Sequence, residues 1–449
     1  MKITHLFAGV LAVGFASAAS AQTEITITGA TAFRQATMQA IYNAYNSVGG
    51  GLGVSFNVAH DFTGNNISQL IASNKAIFVG TFPGIAGTTT IRTSFNGSTE
   101  GLNAIAGNND PSFLTAAALA NTGSIQGGTT SPTETLRPKF SFSDVYQSTS
   151  PVDNIVLNPV GSSAVGVVTF AMIANEGAPS NFTNVTIQQT RALWQSGFQP
   201  LSIFTGDPND ASTLVFATGR NDGSGTRSAY LTEWLYGAAN TVNQYIVTTA
   251  GQSVNGTISA ITLVPAGGNG IGNLLCPDGT GNASTLWGND VLGNGGYRSG
   301  SALRGIMGRT STSVDVYDGV NQTPVLSGAN ILLLTWLSTA DSRNAAANGA
   351  KILAYNGVLV TPLATGDPNN FNGTGFSEAD YKKITSGAYS AWSYQHLYHW
   401  GSLSTEEQAW RDAMVNTWLN PALQQTANGV VLTDMLVERA DDGFPIFSL

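Results

Sequence analysis

Charge is scarce in this chain. Only 10% of its 449 residues are Asp, Glu, Lys or Arg, and 18 basic residues against 27 acidic ones leave a net charge of −9 at pH 7. An acidic, charge-poor surface lacks the broad basic face that grips nucleic acid or an anionic membrane, so neither is expected as a partner. It also makes any anion site a local matter: a desolvated pocket in which a few hydrogen bonds outweigh an unfavourable overall field. Cysteine is nearly absent. Cys276 stands alone, which excludes a disulfide within the chain, so stability must come from buried apolar area; 449 residues at 42% hydrophobic content supply ample material. The length points to two or three domains. Histidine is short too, with only His60, His396 and His399 beyond residue 21, and there is no Gly-x-Ser-x-Gly elbow, so a Ser-His-Asp hydrolase lacks support. After Ala21 no apolar run is long enough to cross a bilayer.

The first 21 residues carry Lys2, an apolar run from Leu6 to Phe15 and the small-x-small triplet Ala19-Ser20-Ala21, the pattern of a cleavable secretory signal peptide. The mature chain is expected to begin at Gln22, without a following cysteine to carry a lipid anchor, in the periplasm or secreted.

Glycine is abundant, 52 residues, and its placement is informative. Gly219-Arg220-Asn221-Asp222-Gly223-Ser224-Gly225-Thr226-Arg227 lies between an apolar run, Ser212 to Ala217, and an amphipathic one, Ser228 to Tyr236. This reads as strand, loop and helix, with Tyr230, Leu231, Trp234 and Leu235 at helical spacing. The order places free helix amides at Ser224, Gly225 and Thr226, beside two hydroxyls and one guanidinium, the components of an oxyanion site. Gly29-Ala30-Thr31-Ala32-Phe33 repeats the arrangement after the Ile25 to Gly29 strand, and Asn96-Gly97-Ser98-Thr99-Glu100-Gly101 repeats it after Thr90 to Phe95. At Phe142-Ser143-Asp144 a carboxylate ends a short strand. Further strands are expected at Ile155 to Val160, Val165 to Ile173 and Tyr389 to Trp400, a helix at Thr186 to Trp194, and structured segments at Leu303 to Met307, Ile331 to Trp336 and Ile352 to Val360. Residues 107–135 read as a surface insertion and 251–298 as long Gly/Asn-rich loops. Strands alternating with helices make the class α/β, and in open α/β sheets ligands gather outside the carboxyl ends of the strands.

Taken in series, these loops resemble the periplasmic phosphate-binding protein of phosphate ABC importers, a type II periplasmic substrate-binding family. The Arg-x-Asp-x-Ser-Gly-Thr loop is the specific part, and the resemblance spans most of the mature chain. It implies a two-lobed, hinged protein that closes on dehydrated phosphate in a cleft between lobes joined by crossover strands. Lobe 1 would comprise residues 22–165 and 390–449, and lobe 2 residues 166–389. By position, Arg220 would bind phosphate oxygens with Asp222 holding the guanidinium. Ser224, Gly225 and Thr226 would supply amides and hydroxyls, Ser98 another hydroxyl, and Asp144 would accept the proton of HPO₄²⁻. Thr31 and Ala32 compete for one ligand-facing place, and Thr63 competes with Ser98. The implied protein is a monomer without catalytic residues, metal or cofactor, and its partner is an ABC permease.

Two rival classes are a secreted phosphate-ester hydrolase and a non-transport adhesive surface protein. The second would show a repeat, and none is present. His396 and His399 read as packed or surface residues on a strand. Asp207, Asn209 and Asp210 read as a turn, since no Glu follows at the spacing of a calcium loop. Trp194, Trp234, Trp392, Trp400, Trp410 and Trp418 read as core.

Overall fold

The structure, a computed structural model, describes residues 22–119, 123–152, 158–247, 256–266 and 291–449. The signal-peptide stretch 1–21 and Cys276 lie outside the described residues.

From the amino end, β1 (Gln22–Gly29) runs into α1 (Arg34–Asn46). Then come β2 (Phe56–His60), α2 (Ile67–Ala72), β3 (Lys75–Gly80) and β4 (Thr88–Ser94), which runs into α3 (Ser98–Ala106). Short strands β5 (Ser112–Leu114), β6 (Gln126–Gly127) and β7 (Thr133–Thr135) precede β8 (Phe140–Ser143) and the long β9 (Asn158–Ala174). Next are β10 (Asn184–Val185), α4 (Ile187–Ser196), β11 (Phe198–Pro200), α5 (Ser202–Thr205), β12 (Leu214–Ala217) and α6 (Gly225–Glu233). A side sheet holds β13 (Tyr245–Val247), β14 (Ala260–Leu263), β15 (Val314–Tyr317) and β16 (Leu326–Ala329), with α7 (Gly300–Met307) between β14 and β15. β17 (Ile331–Ser338), α8 (Thr339–Ala347), β18 (Lys351–Tyr355), α9 (Glu378–Thr385) and β19 (Trp392–His399) follow, and α10 (Thr405–Ala413), α11 (Leu419–Thr426), β20 (Val437–Glu438) and β21 (Phe447–Ser448) close the chain.

The main sheet has the backbone order β11-β12-β17-β9-β19-β8-β1-β4-β3-β2-β6. β1 lies parallel to both β4 and β8, and β12 parallel to β17. Of these, β1, β4, β12 and β17 each run into a helix, so the class is α/β as expected. β1 is covered on both faces: Ile25 and Ile27 are buried, and so are Thr26 and Thr28. The threonines are tolerated because Thr28 Oγ1 donates to Ser94 O at 2.7 Å and Thr26 Oγ1 accepts from Lys139 N at 2.9 Å. β17 is buried along all eight residues, which explains its mostly apolar spelling, interrupted by Thr335 and closed by Ser338.

β9 joins the two halves of this sheet. Its first part pairs with β19, Val168 opposite Ser393, and its last part with β17 and β18, Ile173 opposite both Thr335 and Ile352. The break expected between two strands at 155–160 and 165–173 is a bulge instead. Ser163 sits at φ 62° and the pairing slips beside His396, so the chain stays in the sheet where a turn would have left it.

The 251–298 stretch departs from expectation in its described parts. β14 pairs with β13 and β15, and residues such as Ile261, Val264, Leu303 and Val314 build a core with Phe216 and Ile331 from the main sheet. Apolar residues too sparse to signal a strand alone are sufficient once neighbouring strands supply the other wall. Trp194, Trp234, Trp392 and Trp410 are buried as expected, whereas Trp400 and Trp418 are half-buried.

One crossing is tight enough to need glycine. Gly29 ends β1 at φ 113°, and a β-carbon there would lie 1.9 Å from Phe142 O on β8. Gly29→Ala is expected to destabilise by roughly 3 kcal/mol, summing left-handed backbone strain of about 1–2 kcal/mol and overpacking of about 1–2 kcal/mol. Urea unfolding of the mature chain measures it, and a loss below about 1 kcal/mol would show that β1 and β8 separate at no cost.

Candidate functional site

Several parallel-strand ends deliver helix N-termini to one region. β1 leads to Thr31 and α1, β4 to α3, β8 to Asp144, and β12 through Arg220 to α6. The loops lock to one another through backbone groups. Gly97 N donates to Gly29 O at 3.0 Å, and Glu100 N, in the first turn of α3, donates to Gly223 O at 3.1 Å. Gly97 approaches so closely that a β-carbon on it would lie 2.4 Å from Gly223 O. The positive ends of α3 and α6 therefore face each other, where their dipoles favour a shared anion.

In this structure the carboxylate between them is Asp144, 1% exposed. Ser98 Oγ donates to its Oδ1, Thr226 Oγ1 donates to Oδ2 at 3.3 Å, and the Asp144 amide donates to Ser98 Oγ at 3.1 Å. Gly225 abuts Oδ1 so tightly that a β-carbon there would lie 1.8 Å away. Burial pushes the Asp144 carboxyl above its ordinary range, opposed by the Ser98 hydrogen bond, the Arg220 charge and the Thr226 hydroxyl. Gly225 and Thr226 open α6, so their amides have no acceptor within the helix. The Ser224 amide is not free as expected: it donates to Asn221 O at 3.2 Å, and its hydroxyl caps the helix by accepting from Arg227 N at 3.4 Å.

Arg220 is buried beside this nest. Its Nε donates to Tyr297 O at 3.1 Å, and its Nη2 donates to Arg298 O at 2.8 Å and to Thr31 Oγ1 at 3.5 Å. Burial lowers the guanidinium pKa, and Asp341 and then Asp144 oppose that shift. Asp222 does not hold the guanidinium, contrary to expectation: among the described residues no hydrogen bond or ion pair joins them. The 291–298 segment runs beside the loop, with a bridge between Arg220 and Tyr297, and its carbonyls occupy the donors that Asp222 would have used. Arg227 binds the same segment through Asn294 O at 2.5 Å and Asn294 Oδ1. Gln244 fastens the loop from below. Its Nε2 donates to Arg220 O at 3.1 Å and Gly295 O at 2.8 Å, while its Oε1 accepts from Tyr230 OH and Trp194 Nε1.

The two open pairs are separated by position. Thr31 reaches Arg220, whereas Ala32 is buried in the core with its carbonyl taken by Asn428 Nδ2 at 2.7 Å. Ser98 reaches Asp144, whereas Thr63 is exposed on the loop before α2. Glu100, Gln244, Tyr297, Arg298 and Arg34 were not singled out from sequence. Only Glu100 and Arg34 carried a signal, each in the first turn of a helix that follows a glycine-hydroxyl loop.

His60 Nδ1 accepts from Phe62 N at 3.2 Å, and His399 Nδ1 lies 3.1 Å from Gly401 O. His396 Nδ1 lies 2.8 Å from Ser163 Oγ; burial holds this imidazole neutral, down to about 3, and no carboxylate hydrogen-bonds to it among the described residues. His396 and His399 are three apart on β19 and so point to opposite faces, and the described residues contain no metal-ligand cluster. Asp207 caps a short turn of helix by accepting from Asn209 N at 2.9 Å, which agrees with the reading as a turn.

Neither a protein-family profile nor a curated protein matches this sequence. Among solved structures the chain is similar to a putative phosphate ABC transporter substrate-binding protein with bound phosphate from Clostridium perfringens. That match has 11% identity and a TM-score of 0.43, covering 91% of this chain and 100% of that one. It is also similar to an ABC-type phosphate transport receptor from Vibrio cholerae, at 12% identity and TM-score 0.41 over 91% and 99% of the two chains. PstS from Borrelia burgdorferi matches at 10% identity and TM-score 0.31 over 89% and 91%. Superpositions this loose carry no contacts from those proteins to this one.

Glu100 yields a pH dependence. Burial raises its carboxyl from 4.5 to about 7, with Arg298 and the Asn109 amide opposing and Asp222 adding to the rise. A folded-state pKa above the unfolded one means stability that is complete below about 4.5 and lost as pH rises through about 7. Glu100→Gln, which removes the charge and keeps an acceptor for Asn109, should therefore raise the melting temperature at pH 8 and leave it unchanged at pH 4. Equal melting of both proteins at pH 8 would mean that the Glu100 carboxylate is not strained by burial.

Proposed function

We propose that the mature chain captures inorganic phosphate, or a closely related protonated oxyanion, between two lobes and delivers it to an ABC permease without transforming it. The observation that carries this reading is the convergence on Asp144: two helix N-termini, the hydroxyls of Ser98 and Thr226, and Arg220 with Thr31 surround one buried carboxylate. Donors alone would suit any oxyanion. A carboxylate among them selects for an anion that brings a proton, because an ionised carboxylate accepts hydrogen bonds and cannot donate one. HPO₄²⁻ carries such a proton and SO₄²⁻ at neutral pH does not, so sulfate would set a lone pair against Asp144 in a poorly screened pocket.

In this reading Thr31, Ser98, Asp144, Arg220, Gly225 and Thr226 face the ligand, while Ser224 and Asp222 shape the loop. Lobe 1 is residues 22–165 with 390–449 and lobe 2 is 166–389, and β9 crosses between them. In the same reading residues 1–21 are a signal peptide, and the mature protein works outside the cytoplasm as a monomer. No helix among the described residues is long and apolar enough to cross a membrane.

Calorimetric titration of phosphate, arsenate and sulfate into the mature protein tests the reading. One site for phosphate and arsenate and none for sulfate is expected; hydrolysis of phosphate monoesters by the pure protein would replace this reading with an enzyme. Arg220→Ala should lower phosphate affinity at least 100-fold in a folded protein, the equivalent of about 3 kcal/mol for a charge-assisted bond in a dry site. Retained affinity would remove Arg220 from the site. Asp144→Asn, which introduces a donor, should admit sulfate. Discrimination in the wild type should also fade on acidification, because the raised Asp144 carboxyl gains a proton to donate as pH falls. A phosphate-to-sulfate ratio that neither Asp144→Asn nor acidification alters would show that Asp144 does not read the ligand's proton.

A further inference from the structure

Arg220 is oriented by carbonyls, and the carbonyls need a support. Those of Tyr297 and Arg298 lie at the end of the irregular 291–298 segment, immediately before α7. Ser299 caps that helix by accepting from Ala302 N at 3.1 Å. The first residue of α7, Gly300, rests on Asp341 so closely that a β-carbon would lie 2.0 Å from Asp341 Oδ2. One turn further on, Arg304 Nη1 pairs with Asp341 Oδ1 at 3.1 Å. Ser338 Oγ completes the set, 3.3 Å from Oδ2. Asp341 lies in the first turn of α8, where the helix dipole favours a carboxylate. A single acidic side chain thus grips α7 at its first residue and again at Arg304.

We propose that Asp341 is the positioning residue for Arg220: by clamping the first turn of α7 it fixes the Tyr297 and Arg298 carbonyls that aim the guanidinium at Thr31 and the Asp144 nest. This inference rests on the reading of Arg220 as the cation of an anion site and gives that cation the carboxylate support that Asp222 does not supply. Asp341 is also the strongest of the attractions that keep Arg220 and the buried Arg34 charged against desolvation. It acts through the backbone, since no hydrogen bond joins it to Arg220.

The sign of the effect separates positioning from charge. Neutralising a carboxylate near an arginine strengthens anion binding if only the electrostatic field matters, whereas loss of a clamp weakens it. Titration of inorganic phosphate into the mature wild type, Asp341→Asn and Gly300→Ala is expected to show at least a tenfold loss of affinity in both variants. Gly300→Ala keeps every charge and displaces only the Asp341 contact. Unchanged or tighter binding in Asp341→Asn, or unchanged binding in Gly300→Ala, overturns the proposal; if Asp341→Asn does not fold, Gly300→Ala decides alone.

A second readout needs no ligand. The Arg220 Nε–H proton, bonded to Tyr297 O, should give a slowly exchanging resonance in ¹H–¹⁵N spectra, assigned by its disappearance in Arg220→Lys. In both variants it should exchange at least tenfold faster while the melting temperature stays within a few degrees of the wild type. Unaltered exchange overturns the positioning role. A wild type that holds this proton yet binds no phosphate, with the proton lost in the variants, keeps the positioning role and defeats the functional reading.

Discussion

The structure around the site depends on one arrangement: a buried carboxylate between the positive ends of two helices. Asp144 is fully desolvated, a condition that costs several kcal/mol unless donors surround it. The hydroxyls of Ser98, in the first turn of α3, and Thr226, in the first turn of α6, supply those donors, and the Arg220 charge adds to them. Each helix needs something at its amino end, because the first amides of a helix lack partners. The carboxylate lies where both helix dipoles favour it, and the backbone contact from Glu100 N to Gly223 O holds the two ends in register.

Glycine makes this approach possible. Gly97 meets Gly223 O, Gly225 meets Asp144, and Gly29 meets β8, each at a separation that leaves no room for a β-carbon. The first of these contacts joins the α3 side of the site to the α6 side. The same economy reconciles a charge-poor chain with the anion site proposed for it. A few groups in a dry volume interact more strongly than many at a wet surface, so an overall charge of −9 and a local cation coexist.

Behind the contact layer lies a second one whose residues never approach Asp144. Gln244 spends all four of its amide hydrogen bonds on the loop, on the 291–298 segment and on two aromatic side chains. Arg227 ties α6 to Asn294, and Asp341 ties α7 to α8. The buried Arg220 is held largely by main-chain carbonyls, which carry no sequence signature of their own.

Much of the fold was legible in the sequence because its signals are local. Ile25 and Ile27 alternate, β17 is mostly apolar, and Thr186 with Gln189 begins α4 as a capping box, so strands, helices and the α/β class follow from period and punctuation. The anion-type loops were legible for the same reason: glycine, hydroxyl and helix start occupy a few consecutive residues. What required the tertiary structure is everything set by distant contact. Whether Thr31 or Ala32 faces Arg220, and whether Ser98 or Thr63 meets Asp144, depends on the packing of β1, β4 and β8. That Asp222 stands aside depends on Tyr297 and Arg298, 77 and 78 residues from Arg220 in sequence, arriving first. Chain spacing determines what a loop has to offer; only the folded neighbours determine which of its groups are already taken.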